Sequence, residues 1–359
     1  MNISVPKEIR ASEYRVGLSP AGVKMLAELG HTCYVQHDAG SGAGFSDLDY
    51  ERVGASIVYS AEEAYGRGDL ILKVARPTDQ EIDWIQPKST LAGFLHLPSA
   101  KQTKVDTLLQ NKVTTLAYEQ IQLPDGSHPV LFPLSEIGGK MSAQIAARFL
   151  QNDAGGKGIL LGGMPGVPPA EVVIIGAGVA GRYAAEAFFG MGSQLTVLDT
   201  DGPTLDKIHR KLPQVVTMFP TPTNLEKVVA YADVVITAVM IPGRPAPIIL
   251  SRDMVKTMKS RSLILDISID QGGCVETSRP TTHEKPTFID QDVIHYCVPN
   301  IPGAVARTAT HAFQNVAIPF IQEVAALGVD KAIKQSEAIA AGINTHKGEI
   351  QNLIRVEKS

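Results

Sequence analysis

The chain has 359 residues, 44% of them apolar and 19% charged, with 33 basic against 37 acidic side chains for a net charge of −4. At roughly 150 residues per domain this suggests two or three domains, each able to bury its own core. The apolar fraction excludes wholesale disorder, and the charge balance excludes a nucleic-acid wrapper or a protein held to a membrane by charge. Cys33, Cys274 and Cys297 are widely spaced and form no CxxC or Cys/His pattern. That argues against a disulfide scaffold or a structural metal and for a reducing cytosol. The opening MNISVPKEIR is too polar for a signal peptide core, and no apolar run approaches the roughly 18 residues of a spanning helix. A soluble cytoplasmic protein is expected, with no membrane and no nucleic-acid partner.

In chain order, Ile3–Val5 reads as a strand, and Pro20–Leu29 as a helix with Pro20 in its first turn and Gly30 past its end. Cys33–Gln36, Leu70–Val74, Thr90–Leu95 and Val113–Leu116 read as further strands, with helical stretches such as Lys101–Gln110 between them. Ser135–Gln151 is a helical pattern suited to linking domains, followed by the turn-rich GGKGILLGGMPGVPPAE. A second series of strands follows: Val172–Ile175, Gln194–Leu198, Val234–Ala238, Leu263–Ile267 and Ile294–Val298. Past residue 305, AFQNVAIPFIQEVAAL has helical spacing with a kink expected at Pro319, and this helix is expected to return to the first domain. Alternating strands and helices predict an α/β protein with mainly parallel sheets covered on both faces.

The strongest local signal is EVVIIGAGVAGRYAAEAFFGMGSQLTVLDT. A strand runs into Gly176-x-Gly178-x-x-Gly181, then a helix, then a second strand ending at Asp199. Gly176 permits the tight turn, Gly178 leaves the pyrophosphate access to backbone, and Gly181 lets helix and strand pack closely. Val179 and Ala180 open the helix, whose free N–H groups and positive dipole end suit phosphates. Asp199 would accept from the adenosine ribose hydroxyls, and Asp201 adds negative charge, so NAD is expected over NADP. Ligands in open parallel sheets sit beyond the carboxyl ends of strands. That rule adds Val239 and Met240 of AVMIPGRPAP, Asp270 of DISIDQGG and Asn300 of HYCVPNIPGA. Ser135, opening the linking helix, completes the candidate cofactor contacts.

PKEIRASEYRVGLSPAGVKML, LLGGMPGVPPAEVVIIGAG, LDISIDQGGCVETSRPTTHEKPTF and HYCVPNIPGAVARTAT together resemble the alanine dehydrogenases. The wider group includes the nucleotide-binding subunit of proton-translocating transhydrogenase, from which DQGGCVE distinguishes this chain. The resemblance spans essentially the whole sequence. It implies two α/β domains with a cleft between them. Residues 1–134 and 305–359 would form the substrate domain, and 135–304 an inserted Rossmann domain for NAD. It further implies a small amino- or imino-acid substrate bound in the cleft, a hexamer, and reversible oxidative deamination of L-alanine to pyruvate and ammonia.

By the same resemblance Arg15, in YRVGLSP, holds the substrate carboxylate, which a guanidinium grips through two parallel hydrogen bonds. His96, in GFLHLPS, exchanges protons. Asp270 orients or deprotonates the attacking water, and Asn300 contacts cofactor amide or substrate. The chain departs from the pattern after the Leu70–Val74 strand. The family reads K-V-K-E-P there, its second lysine binding substrate, whereas this chain reads Lys73-Val74-Ala75-Arg76-Pro77. Either Arg76 substitutes, or Lys73, on the same strand face as Ala75, reaches across, or the substrate is a different, bulkier amino or imino acid. Thr204 also stands where the family places a basic residue near the adenosine, and Pro98 where it has alanine. A non-catalytic NAD(H)-binding protein is the remaining alternative, against which His96 and Asp270 both argue.

Overall fold

The computed structural model describes residues 1–241 and 246–353; the 242–245 part of AVMIPGRPAP and the 354–359 tail lie outside it. The strands in chain order are β1 Asn2–Val5, β2 Thr32–Gln36, β3 Ala55–Val58, β4 Leu70–Ala75, β5 Thr90–Phe94, β6 Thr114–Ala117, β7 Glu171–Ile175, β8 Gln194–Leu198, β9 Val216–Met218, β10 Val234–Thr237, β11 Leu263–Asp266, β12 Thr287–Asp290, β13 Val293–Tyr296, β14 Ile343–His346 and β15 Glu349–Ile350. The chain divides into two compact units, Met1–Leu134 with Gly303–Ser359, and Ser135–Pro302. The return to the first unit comes two residues before the expected boundary, inside the single 3-10 turn Ile301–Val305.

In the first unit the sheet order is β15-β14-β6-β5-β4-β1-β2-β3. β1 to β6 are parallel, and the C-terminal hairpin of β14 and β15 adds antiparallel strands beside β6. Strand order reverses between β1 and β4, which lie side by side and parallel. That makes their carboxyl ends a topological switch point, where open α/β sheets form their crevice. The helix Ala306–Leu327 runs through Pro319 and buries Phe313 against Phe94 and Tyr118, returning as expected to the first unit's core.

The second unit orders its sheet β12-β13-β11-β10-β7-β8-β9, parallel except for the edge strand β12. Its switch point lies between β7 and β10. One apolar cluster, including Val172, Ile174, Phe188 and Leu265, covers one sheet face; another, including Val173, Ile175, Val228 and Ile264, covers the other. Alternate residues of the same strand feed opposite faces, as the period of two requires. Among the described residues no helix is long and apolar enough to cross a membrane.

One buried network ties the first switch point together. Lys73 of β4 is wholly buried, its Nζ 2.8 Å from Glu8 Oε2 and 2.6 Å from Glu81 Oε1. Glu8, just past β1, also accepts from the amides of Val74 (2.6 Å) and Ala75 (3.3 Å). Glu81 closes the capping box of the Asp79–Trp84 helix at Thr78 and takes the Tyr65 hydroxyl at 2.9 Å. Removing the ammonium would leave two buried carboxylates without their cation. Lys73→Met is expected to lower stability by about 3–5 kcal/mol, read from urea unfolding followed by circular dichroism, with much of the loss recovered when Glu8→Gln and Glu81→Gln are added.

Candidate active site

Arg15 sits in the loop between β1 and the helix Pro20–Glu28. Two close contacts fix that loop. A Cβ on Gly17 would stand 2.1 Å from the Leu72 carbonyl, so only glycine lets the loop lie on β4. Thr310 and Gln314 of the C-terminal helix accept from the Val16 and Ser19 amides at 3.3 and 2.9 Å. Arg15 is 6% exposed, and its Nε and Nη2 meet Glu13 Oε1 and Oε2 at 2.7 and 2.6 Å. This bidentate pair occupies the Nε–Nη2 edge of the guanidinium and leaves the Nη1–Nη2 edge outside it.

The structure corrects the reading of Lys73 as a substrate contact. The period of two correctly puts it on the same side of β4 as Ala75, but two residues deeper, where Glu8 and Glu81 take its charge. Burial pulls the Lys73 ammonium down, and the two carboxylates more than restore it, so its pKa is raised and the charge is kept. Burial raises Glu8, which also faces Glu13. At Glu81 burial is outweighed by Lys73, the Thr78 amide and Tyr65, and its carboxyl is lowered. Arg76 points elsewhere too: its Nη1 donates to the His96 carbonyl at 2.9 Å and to Ser99 Oγ at 3.0 Å.

His96 follows β5 as expected, in a left-handed conformation (φ 43°, ψ 42°) that opens the 3-10 turn Leu97–Ser99. Its side chain is 57% exposed, with Nδ1 3.9 Å from Glu119 Oε1. Pro98 lies inside that turn, where its fixed φ is compatible.

In the second unit the glycine fingerprint follows its expected geometry. Gly176 has φ 98°, and a Cβ there would meet the Ala238 carbonyl at 2.5 Å. A Cβ on Gly181 would stand 1.8 Å from the Gly176 oxygen, whereas one on Gly178 would meet nothing within 4 Å. No side chain caps the Val179–Gly190 helix, so the first-turn amides of Val179, Ala180 and Gly181 face space that Gly178 keeps open. This cradle fits a pyrophosphate. Asp199 is half-buried and accepts from Ala177 N (2.6 Å) and Asp201 N (2.8 Å), bracing the glycine turn as well as presenting its carboxylate at the end of β8. Asp201 caps the Gly202–Lys211 helix through the amide of Thr204 (3.0 Å). Ser135 lies one helical turn before Gly139, whose absent side chain lets the Phe132–Phe149 helix touch the Ala180 carbonyl.

Asp270 lies exposed on the 3-10 turn Ile267–Gln271, and the Asn300 amide donates to its Oδ2 at 3.5 Å, so these two expected residues are neighbours. Capping of that turn falls to Asp266, a residue sequence reasoning missed. Its Oδ1 accepts from Thr237 (2.7 Å) and Ser268 N (3.1 Å), and its Oδ2 from Cys274 N (3.0 Å). Ser268 in turn bonds both N and O of Val239, joining the turn to the exit of β10, beyond which Met240 is exposed. Glu8, Glu13, Glu81 and Glu119 were missed as well. Of these, Glu81 alone has a local signal that could have found it, the Thr78-x-x-Glu81 capping signature. Substitution separates the glycine roles. Gly178→Val is expected to keep the unfolding midpoint but weaken NADH binding at least about 100-fold, while Gly181→Ala costs about 1–3 kcal/mol of stability, by fluorescence titration and thermal unfolding.

Comparison with known proteins places these residues in context. The family model described as alanine dehydrogenase/PNT, N-terminal domain, matches residues 4–138, and the one described as alanine dehydrogenase/PNT, C-terminal domain, matches 142–353. An alanine dehydrogenase of Halomonas elongata is 44% identical over 351 residues, 98% of this chain and 94% of that protein. A solved L-alanine dehydrogenase has a TM-score of 0.94 at 42% identity, covering 98% of this chain and 96% of the other. A transhydrogenase from Sinorhizobium meliloti has a TM-score of 0.83 at 25% identity, with 98% of each chain covered. The chain therefore belongs to the alanine dehydrogenase/PNT family, with a Rossmann-like second unit.

Proposed function

We propose that the protein is an NAD-dependent L-amino acid dehydrogenase that converts L-alanine, NAD and water reversibly to pyruvate, ammonia and NADH. One observation carries this reading: in a chain matched to alanine dehydrogenases over nearly its whole length, Arg15, His96 and Asp270 all stand on loops that leave the carboxyl ends of strands. The Gly176–Gly181 cradle and Asp199 support a dinucleotide without a 2′-phosphate, hence NAD. When bound, NAD supplies the hydride acceptor.

The residues supply the rest. Arg15 grips the substrate carboxylate by its Nη1–Nη2 edge while Glu13 holds the guanidinium in plane. His96 takes a proton from water as it adds to the imino carbon and returns one to the departing amine. Asp270 orients that water and offsets the positive charge of the iminium, with Asn300 beside it. His96 belongs to the first unit and Asp270 to the second. The same family membership supports a cytoplasmic homo-oligomer, a hexamer by resemblance, which light scattering tests.

Ala75 favours a second reading, a bulkier amino or cyclic imino acid. The end of β4 offers a methyl group there, Lys73 is committed to Glu8 and Glu81, and Arg76 to His96. NADH formation with a panel of small and large L-amino acids decides between the two. Alanine as the best substrate supports the first. Poor alanine turnover that Ala75→Lys raises by about tenfold or more supports the second. Silence of the folded protein across the panel refutes both. In whichever assay succeeds, Asp270→Asn should lower kcat about 10²–10⁴-fold, and Arg15→Lys should act chiefly on the amino-acid KM.

A further inference from the structure

His96 is an L residue with φ 43°, a region such side chains seldom hold unaided. The neighbouring groups that hold it come from two other strands. Glu119, in the 3-10 turn that follows β6, straddles the peptide between Leu95 and His96. Its Oε2 accepts from Leu95 N at 3.1 Å and its Oε1 from His96 N at 2.6 Å. On the other side, Arg76 leaves the end of β4 and donates through Nη1 to the His96 carbonyl at 2.9 Å. Ser99 joins there, its Oγ 3.0 Å from both the His96 oxygen and Arg76 Nη1. Arg76 is itself fixed, since its own carbonyl accepts from Arg10 Nε at 2.7 Å. An anion thus holds the N–H and a cation the C=O of one residue, both charge-assisted and directional.

We infer that Glu119 and Arg76 are positioning residues for the proton-transferring histidine, and that Arg76 serves this frame and not the substrate. This rests on the proposed role of His96. The frame fixes where the imidazole leaves the backbone, and Glu119 Oε1 lies 3.9 Å from its Nδ1. A misplacement of about 1 Å in such a group costs on the order of 100-fold in rate. Arg76 gives the frame its Nη1; loss of a substrate grip would show in KM and loss of a positioning contact in kcat, so the two roles predict different kinetics.

The experiment uses the full-length protein with Arg76→Ala, Arg76→Lys and Glu119→Gln, assayed with the best amino acid of the wild-type panel. Expected for Arg76→Ala and Glu119→Gln are a kcat lowered about 10–100-fold, an amino-acid KM within about 3-fold, and a larger solvent deuterium isotope effect on kcat as proton transfer becomes limiting. Arg76→Lys, which keeps one donor, should recover part of kcat. Without substrate, hydrogen exchange at the Leu95 and His96 amides should be at least about tenfold faster in Glu119→Gln. A KM raised tenfold or more in Arg76→Ala with kcat kept makes Arg76 a substrate ligand and overturns the inference. So does a kcat loss without change in the isotope effect, or wild-type kcat in both variants. If the wild type turns over no amino acid, it is the proposed function that fails; unchanged exchange would still refute the frame, and faster exchange would retain it.

Discussion

The first unit is organised around an ammonium with no access to water. Lys73 sits between Glu8 and Glu81 at the switch point of the sheet, and a buried charge persists only where partners offset its desolvation. The pairing therefore dictates where three segments go: the exit of β1 carrying Glu8, the end of β4, and the helix begun at Thr78. Glu8 then has its other oxygen free for the amides of Val74 and Ala75, which sets the point where β4 stops and Arg76 turns away. Linkage gives the arrangement a defined pH window. Lys73, raised in the fold, contributes below its ordinary value and loses that contribution only as pH rises through the raised one. Glu81, lowered in the fold, contributes above the ordinary glutamate value and loses it as pH falls through the lowered one. Glu8, raised by burial, has the opposite sign to Glu81 and favours the fold most where its carboxyl is protonated.

Both units solve the same geometric problem in the same way. Each reverses strand order beside its first strand, β1 against β4 and β7 against β10, which opens a crevice at the carboxyl ends of those strands. Each also relies on a glycine at the point of closest backbone approach. Gly17 lets the Arg15 loop lie against Leu72, and Gly181 lets the fingerprint helix lie against Gly176. The content of the crevices differs. The second is lined with helix-terminal amides suited to phosphates. The first holds paired side-chain charges, Arg15 with Glu13 and Lys73 with Glu8 and Glu81.

Much of this was legible in the sequence where the signal is local. The run from Glu171 to Asp199 states strand, turn, helix and strand through its own periodicity and glycines, and β7 and β8 fall where expected. Edge elements were not legible. β9 is three partly exposed residues, β12 is half-buried, and β14 and β15 pair antiparallel with partners more than 200 residues away or with each other, so no window of sequence contains their reason to form. Arg15, His96 and Asp270 were proposed through resemblance. Their supporting residues were not, because Glu13, Glu119 and Asp266 are ordinary acids whose role appears only when a distant backbone amide or guanidinium is brought to them. Lys73 shows the limit of strand periodicity, which reports the side of a sheet but not depth along it.

Depth along the strand also bears on what the crevice of the first unit can attract. Its cations are not interchangeable reserves of positive charge. Lys73 is outnumbered by Glu8 and Glu81, Arg15 is matched by Glu13, and Arg76 shares the His96 turn with Glu119. On the proposed role of Arg15, a carboxylate entering beside it meets charges already balanced, so directional hydrogen bonds from the remaining guanidinium edge hold it more than net attraction does. A lysine at position 75 would change that balance at the partly exposed end of β4, adding a charge with no carboxylate assigned to it. With alanine there, the partly exposed end of β4 carries a methyl group in place of that charge, an apolar surface that costs little to desolvate.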